Sequence, residues 1–356
     1  MSKWIIRIFL IIVATTGFFI FFLTIYGIET NYFNSTIQNK IKKLHPNINL
    51  GFQKTNILLD LKQLELKVEV TKPEINFNTT STFLKKLNLN ISIKSFLKND
   101  FALQSGEIGL VKTDIKQLIR IINQIKPSPF LFFTKKIFDQ GQIEGNAKVN
   151  FDTTGKIKDD YEIMGSIFNF NAKILKKFDI KKTEAKFEIY KNKYNFSLVQ
   201  GNVNEIDLAD SKFKINKVNK NFNVEGNLIS KGNLKNFQNT LDLFQINLIQ
   251  DKVDKSEISF ELKSNLSFQL EKYIKLKDLK IIGDGIVHFL NIQHEINTSK
   301  LKEVFANYND SFQIIDTKIN FLSNENEQSV ELNGLINLTD EYENFKSKVI
   351  FDKKKK

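Results

Sequence analysis

The side chains that could perform chemistry in this chain are few, and the best placed are His288 and His294. Their even separation would put both imidazole rings on one face of a strand, beside Glu295, where they could bind a metal ion. A metal site also needs a third ligand and a second shell of hydrogen bonds, and the sequence offers no obvious one. We therefore predict no metal site, and we interpret both histidines as exposed strand residues.

The acidic residues do not form a recognisable catalytic pattern either. Asp159, Asp160 and Asp284 stand next to Gly or Lys, where Asp favours turns because its carboxylate bonds to the nearby backbone. The chain has no nucleophile elbow, phosphate-binding glycine loop or dinucleotide fingerprint. It contains 0 Cys, which excludes a thiol nucleophile, a thiolate zinc site and disulfides. We predict a protein that is not an enzyme, with no catalytic residue and no cofactor.

The element that positions the rest of the chain is an unbroken apolar run from Ile8 to Ile28. A helix of roughly twenty residues, at about 1.5 Å per residue, matches the hydrocarbon core of a bilayer. We predict that residues 1–29 form a short cytoplasmic segment and a transmembrane anchor. Four of the residues expected in this anchor are Ile8, Phe18, Phe22 and Ile28.

The charges beside this run predict its orientation. Lys3 and Arg7 precede it, and cytoplasmic flanks are enriched in Lys and Arg, so the N-terminus should be cytoplasmic and the bulk of the chain exported. Lys40, Lys42 and Lys43 weaken this asymmetry. A cleaved signal peptide is the alternative, but its apolar region would be only about 7 to 15 residues long. We therefore expect a retained single-pass anchor, with the remaining chain exported.

The formal net charge of +12 comes from lysines spread along the whole chain, and Arg7 and Arg120 are the arginines. Nucleic-acid recognition usually relies on Arg for bidentate contacts, so we predict no nucleic-acid partner. Attraction to the anionic head groups of a membrane lipid bilayer remains as a weak, salt-dependent expectation.

Beyond the anchor, the apolar spacing changes from helical to alternating. Residues 30–46 carry apolar side chains at three-to-four spacing and end at His45-Pro46, which predicts a helical stalk. From Leu64 onward, apolar and polar residues alternate, which is typical of strands with one apolar face. These segments are 64–70, 87–93, 143–151, 163–174, 185–190, 194–198, 213–215, 222–228, 258–262, 266–270, 286–292, 315–321, 330–338 and 345–351.

We predict a mainly β fold, in which residues 47–356 form an elongated, curled antiparallel sheet with two or three short helices. The candidate helices are 114–125, with Thr113 as N-cap, 298–305, and 234–244, which could also be a strand. So few helices cannot cover the apolar face of more than a dozen strands. That face must pair with itself, close into a barrel, or hold something else.

A weak repeat of the form apolar-x-Gly-x-apolar runs through the strands, centred on Gly145, Gly165, Gly201, Gly226 and Gly334. Each glycine shares a face with its two apolar neighbours and leaves a notch there. A bend or bulge that curls the sheet is the simpler interpretation, and a notch for a lipid chain is the alternative.

The anchor followed by a long, glycine-punctuated antiparallel sheet resembles the AsmA-like group of bacterial envelope proteins, which includes the YhdP and TamB types. The segment from Phe138 to Phe151, followed by Asp152-Thr-Thr-Gly155 and Tyr161-Glu-Ile-Met-Gly165, is most similar to that group. The resemblance implies an inner-membrane anchor and a periplasmic sheet whose apolar concave face carries phospholipid acyl chains. Members of the group are often much longer, which raises the expectation that this chain is truncated.

We therefore predict a hydrophobic β-groove for phospholipid transport or outer-membrane lipid homeostasis. The expected lining is Val149, Phe151, Ile167, Phe187, Ile189 and Phe260, each of which is equally well explained as closed core. The alternative is a non-enzymatic assembly or structural protein of the envelope, with a closed β-sandwich and another envelope protein as partner. An outer-membrane barrel is disfavoured by the anchor and the lysine-rich end.

Overall fold

The computed structural model describes residues 2–31, 34–44, 46, 48–77, 80–97, 103–125, 137–152, 157–174, 178–219, 221–242, 258–271, 275–289, 313–337 and 341–352. Its helices are α1 (Ser2–Ile25), α2 (Asn34–Leu44), α3 (Ile93–Leu97), α4 (Ile115–Ile125) and α5 (Leu234–Asp242). The first strands are β1 (Ile28–Thr30), β2 (Ile48–Gly51), β3 (Lys54–Asp60), β4 (Glu65–Thr71), β5 (Glu74–Phe77), β6 (Thr80–Ser92) and β7 (Leu103–Asp114).

The remaining strands are β8 (Phe138–Asn150), β9 (Glu162–Ile174), β10 (Phe178–Tyr190), β11 (Lys193–Val203), β12 (Ile206–Asp207), β13 (Lys212–Val218), β14 (Asn221–Asn233), β15 (Ile258–Glu271), β16 (Lys275–Phe289), β17 (Gln313–Ser323), β18 (Glu327–Asn337) and β19 (Tyr342–Asp352). They belong to one large antiparallel sheet. The predicted mainly β fold, with an N-terminal apolar helix and few short helices, is confirmed.

The contacts of the chain divide it into two units. The first unit consists of Met1–Lys136, Gln142–Ser166 and Glu188–Lys191, and the second consists of Ile137–Gly141, Ile167–Phe187 and Asn192–Lys356. Strands β8, β9 and β10 therefore contribute residues to both units. Each unit is described by itself below.

In the first unit, the strand register collects apolar side chains on one face. One row of paired residues crosses β1, β3, β4, β6, β7 and β8, and it consists of Ile28, Ile57, Val68, Leu89, Gly106 and Val149. The neighbouring row of the other face is polar, with Asn56, Glu69, Asn88, Glu107 and Lys148. Because side chains alternate between the two faces, a slip of one residue would exchange these rows.

The predicted stalk is a helix, but it packs on the sheet. Ile37 of α2 belongs to the buried core with Leu50, Val68 and Val70, and Ile41 packs against that core. The Nε2 atom of Gln38 donates a hydrogen bond of 3.0 Å to the carbonyl oxygen of Leu50. The three-to-four spacing of α2 therefore provides an apolar face that covers part of the sheet, which is a different role from a free stalk.

In the second unit, the same segregation of faces extends from β14 to β19. One row consists of Leu228, Ser264, Gly283, Phe321, Val330 and Val349. The adjacent row of the other face consists of Ile229, Lys263, Asp284, Asn320, Glu331 and Lys348. On that polar face, Lys231 pairs with Glu261 at 3.0 Å and Lys346 with Glu331 at 2.8 Å.

Several local predictions need correction. Asp284 lies inside β16, opposite Lys263 and Asn320, and not in a turn. The N-cap of α4 is Asp114 and not Thr113, because the Oδ1 atom of Asp114 accepts a hydrogen bond of 2.9 Å from the backbone N–H of Gln117. Thr113 belongs to β7. The ambiguous segment after Asn233 is a helix, α5, whose first turn is capped by the side chain of Asn233.

At Gly226 and Gly334 the glycine notch is occupied by side chains of this chain. A Cβ atom at Gly226 would lie 3.2 Å from Phe213 and Leu266, and one at Gly334 would lie 3.0 Å from the Phe345 ring. The pairing between β17 and β18 shifts register beside Gly334, so the bulge interpretation holds at that position. Neighbouring side chains thus fill the space beside these two glycines.

We predict that Gly285→Ala destabilises the protein by about 1–3 kcal/mol, because the new methyl group would overlap the carbonyl oxygen of Glu261 and the side chain of Leu262. Gly51→Ala is the matched control, since a Cβ there would make only ordinary contacts, the nearest at 3.5 Å. Thermal unfolding of the purified protein measures both. Equal transition temperatures for the two variants would contradict the packing at Gly285.

Candidate functional site

Helix α1 is long and apolar enough to cross a membrane. The qualifying span is Trp4–Ile25, with 22 residues, a mean hydropathy of 2.6 and none of it buried in the protein. Trp4 and Tyr26 mark its two ends with exposed fractions of 73% and 66%, and such residues are enriched at membrane–water interfaces. The hydroxyl groups of Thr15 and Thr24 donate hydrogen bonds to the helix's own carbonyls, so neither is left unpaired in an apolar environment.

The anchor ends earlier than the sequence predicts. Ile8, Phe18 and Phe22 lie in α1, but Ile28 lies in β1, where it pairs with Ile57 of β3. The cause is Gly27, whose φ of +69° is the left-handed conformation that ends helices. The backbone N–H groups of Tyr26 and Gly27 donate to the carbonyl oxygen of Phe22 at 2.8 and 3.2 Å. The chain therefore passes from the helix into the sheet through one glycine turn.

The second unit presents its apolar face as a broad surface. Its apolar side chains are half-buried, and they include Ile215, Leu228, Leu262, Leu266, Ile281, Val287, Ile319, Phe321, Val330 and Leu332. Within the described residues, α5 packs on the β14–β15 end of this surface. A second packed layer would bury these side chains completely, so this part of the chain is not closed in the described residues.

The six predicted lining residues have different environments. In the first unit, Val149 and Phe151 come together over Gly106, where a Cβ atom would lie 3.7 and 3.6 Å from them, and Ile189 is half-buried. In the second unit, Ile167 is half-buried and Phe187 is 7% exposed.

Phe260 is 5% exposed because Phe237 of α5 stacks edge-on against it, with ring centroids 5.4 Å apart. Phe260 is therefore core beneath a helix. Its alternating sequence pattern could not distinguish core from lining, because both place the ring on the apolar face.

The polar face of the second unit also contains a concavity. A cavity of about 640 Å³ lies along β13 to β16 and is lined by Lys212, Lys214, Lys280, Glu225, Asn227, Asn265, Ser267 and Ile282, with Gly226 and Leu266. Most of these residues lie on the polar side of the paired strands. This cavity is open and lysine-rich, and it is distinct from the apolar surface.

The candidate metal residues are only partly described. His288 of β16 pairs with Ser259 of β15. His294 and Glu295 lie outside the described residues. In the part of the chain that the structure describes, no three His, Asp or Glu side chains are grouped so that they could hold a metal ion. The prediction of no metal site stays a prediction.

Comparison of the chain with protein-family models, with curated proteins and with solved structures found no match in any of the three.

We predict that Gly27→Ala loosens the junction between α1 and the sheet. The substitution strains a left-handed residue, and its Cβ would lie 2.5 Å from Oδ1 of Asn56 and 2.7 Å from the carbonyl oxygen of Ile57. Limited proteolysis in membranes should show faster cleavage between Tyr26 and Lys54. The control is Gly17→Ala in α1, where nothing lies within 4 Å of the new atom. An unchanged cleavage rate in the Gly27 variant would show that Gly27 does not hold α1 and the sheet together.

Proposed function

We propose that this protein is a bacterial inner-membrane protein whose extracytoplasmic sheet carries phospholipid acyl chains, for phospholipid transport or outer-membrane lipid homeostasis. The observation that carries the proposal is the half-buried apolar surface of the second unit, on a chain whose first helix is suited to a bilayer. This function also agrees with what the resemblance to the AsmA-like group implies.

The physical fit is between an apolar surface without sharp polar features and a ligand that is mostly hydrocarbon. Burial of apolar area stabilises a complex by about 25 cal/mol per Å², so a lipid tail of a few hundred Å² contributes several kcal/mol without any directional contact. Such binding requires only that the apolar face stay continuous. The rows from Leu228 to Val349 and from Leu262 to Leu332 meet this requirement, interrupted by Ser and Gly and by no charge.

The first unit carries an apolar row that begins next to α1. Its apolar row begins at Ile28, three residues after α1 ends, and passes across β3, β4, β6 and β7 to Val149 in β8. Part of that row is buried beneath α2. Lys3 and Arg7 favour a cytoplasmic N-terminus, which would leave the sheet on the periplasmic side.

A protein partner is the second candidate function, and strand β19 favours it. Val349 and Ile350 project from opposite faces of this strand, yet they are 45% and 56% exposed. A protein that packed against this strand would bury both of these exposed side chains. In that case the protein would act in envelope assembly, with a sheet closed by its partner.

The two functions are distinguished by a photo-crosslinking residue placed at Ile281 or at Ile282. These neighbours have the same side chain but lie on opposite faces: Ile281 pairs with Leu266 on the apolar face, and Ile282 pairs with Asn265 on the polar face. We expect irradiated bacterial cells to give phospholipid adducts at position 281 and none at position 282, as read by mass spectrometry of the purified protein.

The matched substitutions Ile281→Asp and Ile282→Asp give an independent measurement. A carboxylate on the apolar face should reduce copurifying phospholipid about tenfold or more, whereas the same change on the polar face should not. Lipid adducts in equal amounts at both positions, or protein adducts alone, would exclude the lipid-carrying surface. Protein adducts alone would also support the partner function.

The orientation can be measured with single cysteines, since the natural chain has 0 Cys. A membrane-impermeant maleimide should label Lys62→Cys in cells with a permeabilised outer membrane, and it should label Ser2→Cys only after lysis. The reverse pattern would place the sheet in the cytoplasm and end the envelope proposal.

A further inference from the structure

The first unit contains a polar cavity that the proposed acyl-chain surface does not use. It has a volume of about 800 Å³ and lies where β4, β6, β7 and β8 meet the segment after β8. The charged residues of its walls are Glu65, Asp152 and Asp160, together with Lys94, Lys148 and Lys158. The charged lining residues are balanced, with three carboxylates and three lysines.

Glu65 is the unusual residue of this cavity. It is 7% exposed, and its Oε2 atom has no hydrogen-bond partner among the described residues. A buried acceptor without a donor costs about 1–3 kcal/mol, and more when it is charged. The Oδ1 atom of Asp160, on another wall of the same cavity, is also buried without a partner in the described residues. One oxygen atom of each of these two carboxylates therefore lacks a hydrogen-bond donor among the described residues.

The surroundings of Glu65 disfavour the charged form of its carboxylate. Burial raises the pKa of Glu65 above its ordinary value, and the nearby charge of Asp60 raises it further. A hydrogen bond from Asn90 and the charge of Lys148 act in the opposite direction but are weaker. The strand register keeps Asp60 next to Glu65, because the two residues pair directly across β3 and β4. The fold thus holds Glu65 where its ionised form is less stable than it would be in water.

The lysines of the cavity provide the opposite charge. Lys94, Lys148 and Lys158 line the same space and could receive an anionic group, while the carboxylates receive a cationic one. A zwitterionic ligand could pair with both the carboxylates and the lysines, and the net charge of the cavity would stay the same. An isolated metal ion is a poorer fit, because in the described residues the carboxylates are not grouped as metal ligands.

The cavity also touches the apolar row of the first unit. Leu103 and Phe151 contribute to its wall, and Phe151 meets Leu89 and Val149 over Gly106, each within 3.7 Å of a Cβ placed there. A ligand with a zwitterionic end in the cavity could therefore extend a hydrocarbon part along this row. This arrangement matches the amphipathic structure of a phospholipid.

We propose that this cavity binds a phosphoethanolamine group, with its ammonium between Glu65 and Asp160 and its phosphate near the lysines. The inference rests on the proposed function, because it names the head group of the lipid. The same chemistry could come from a membrane phospholipid or from a free, deacylated phosphoethanolamine ester.

The test uses the full-length protein in detergent and two soluble probes, glycerophosphoethanolamine and glycerophosphoglycerol, which differ in the ammonium group. Calorimetry should detect the first and not the second. Glu65→Gln should weaken binding about 10- to 100-fold, because a charge-assisted hydrogen bond is lost while the shape is kept. Glu144→Gln, at an exposed position of β8 outside the cavity, is the matched control and should bind like the natural protein.

Native mass spectrometry with phosphatidylethanolamine and phosphatidylglycerol distinguishes the two sources. Retention of the intact ethanolamine lipid, lost in Glu65→Gln, identifies the lipid head group; binding of the soluble ester alone identifies a free ligand. Equal binding by Glu65→Gln and the natural protein, or no preference for the ammonium-bearing probe, would overturn the site. The crosslinks at Ile281 test a different surface. Absence of lipid crosslinks there would overturn the acyl-chain surface but not this cavity, and absence of binding in the cavity would not overturn the acyl-chain surface.

The unliganded protein offers a second readout. Since the pKa of Glu65 in the folded chain is above 4.5, the folded state binds this proton more tightly than the unfolded state, and stability falls as the pH rises through the window above 4.5. Glu65→Gln removes that loss. Its melting temperature should exceed that of the natural protein at pH 7 and approach it near pH 4, whereas a purely structural carboxylate would give a lower value at pH 7.

Discussion

The alternation of side chains along paired strands is the constraint on which the rest of this structure depends. In each unit the paired strands carry an apolar row on one face and a polar row on the other, and the register aligns both rows from strand to strand. In the first unit the apolar side is partly covered by α2, with Ile37 in the core. In the second unit the corresponding side stays half-buried in the described residues. Function is therefore expected where the cover is missing.

The sequence was sufficient for the features that depend on periodicity alone. Period two located most strands, and the uninterrupted apolar run located α1. Strand β7 was missed because its two glycines, Gly106 and Gly109, break the apolar alternation. Residues 258–262 and 266–270 read as two strands because Ser264 interrupts the apolar pattern, whereas in β15 it simply shares the apolar face opposite Gly283.

Other features depend on tertiary contacts that no local pattern contains. The packing of α2 on the sheet, the cover of Phe260 by Phe237, and the filling of the Gly226 notch by Phe213 and Leu266 each join separate parts of the chain. The candidate cavity is the extreme case. Glu65 reads as an ordinary polar-face residue of a strand, and only the folded chain shows that the carboxylate is buried beside Asp60 without a donor for Oε2.

The glycine turn at Gly27 has a mechanical consequence. Only Tyr26 and Gly27 separate the end of α1 at Ile25 from the start of β1 at Ile28, and a fully extended chain over these three residue steps reaches only about 10 Å. A long flexible linker would let a domain reorient freely relative to a bilayer. If α1 spans a bilayer, a tilt or rotation of the helix is transmitted directly to β1 and, through its pairing, to β3. The orientation of α1 in a membrane would thereby determine the orientation of the first strands relative to the bilayer surface.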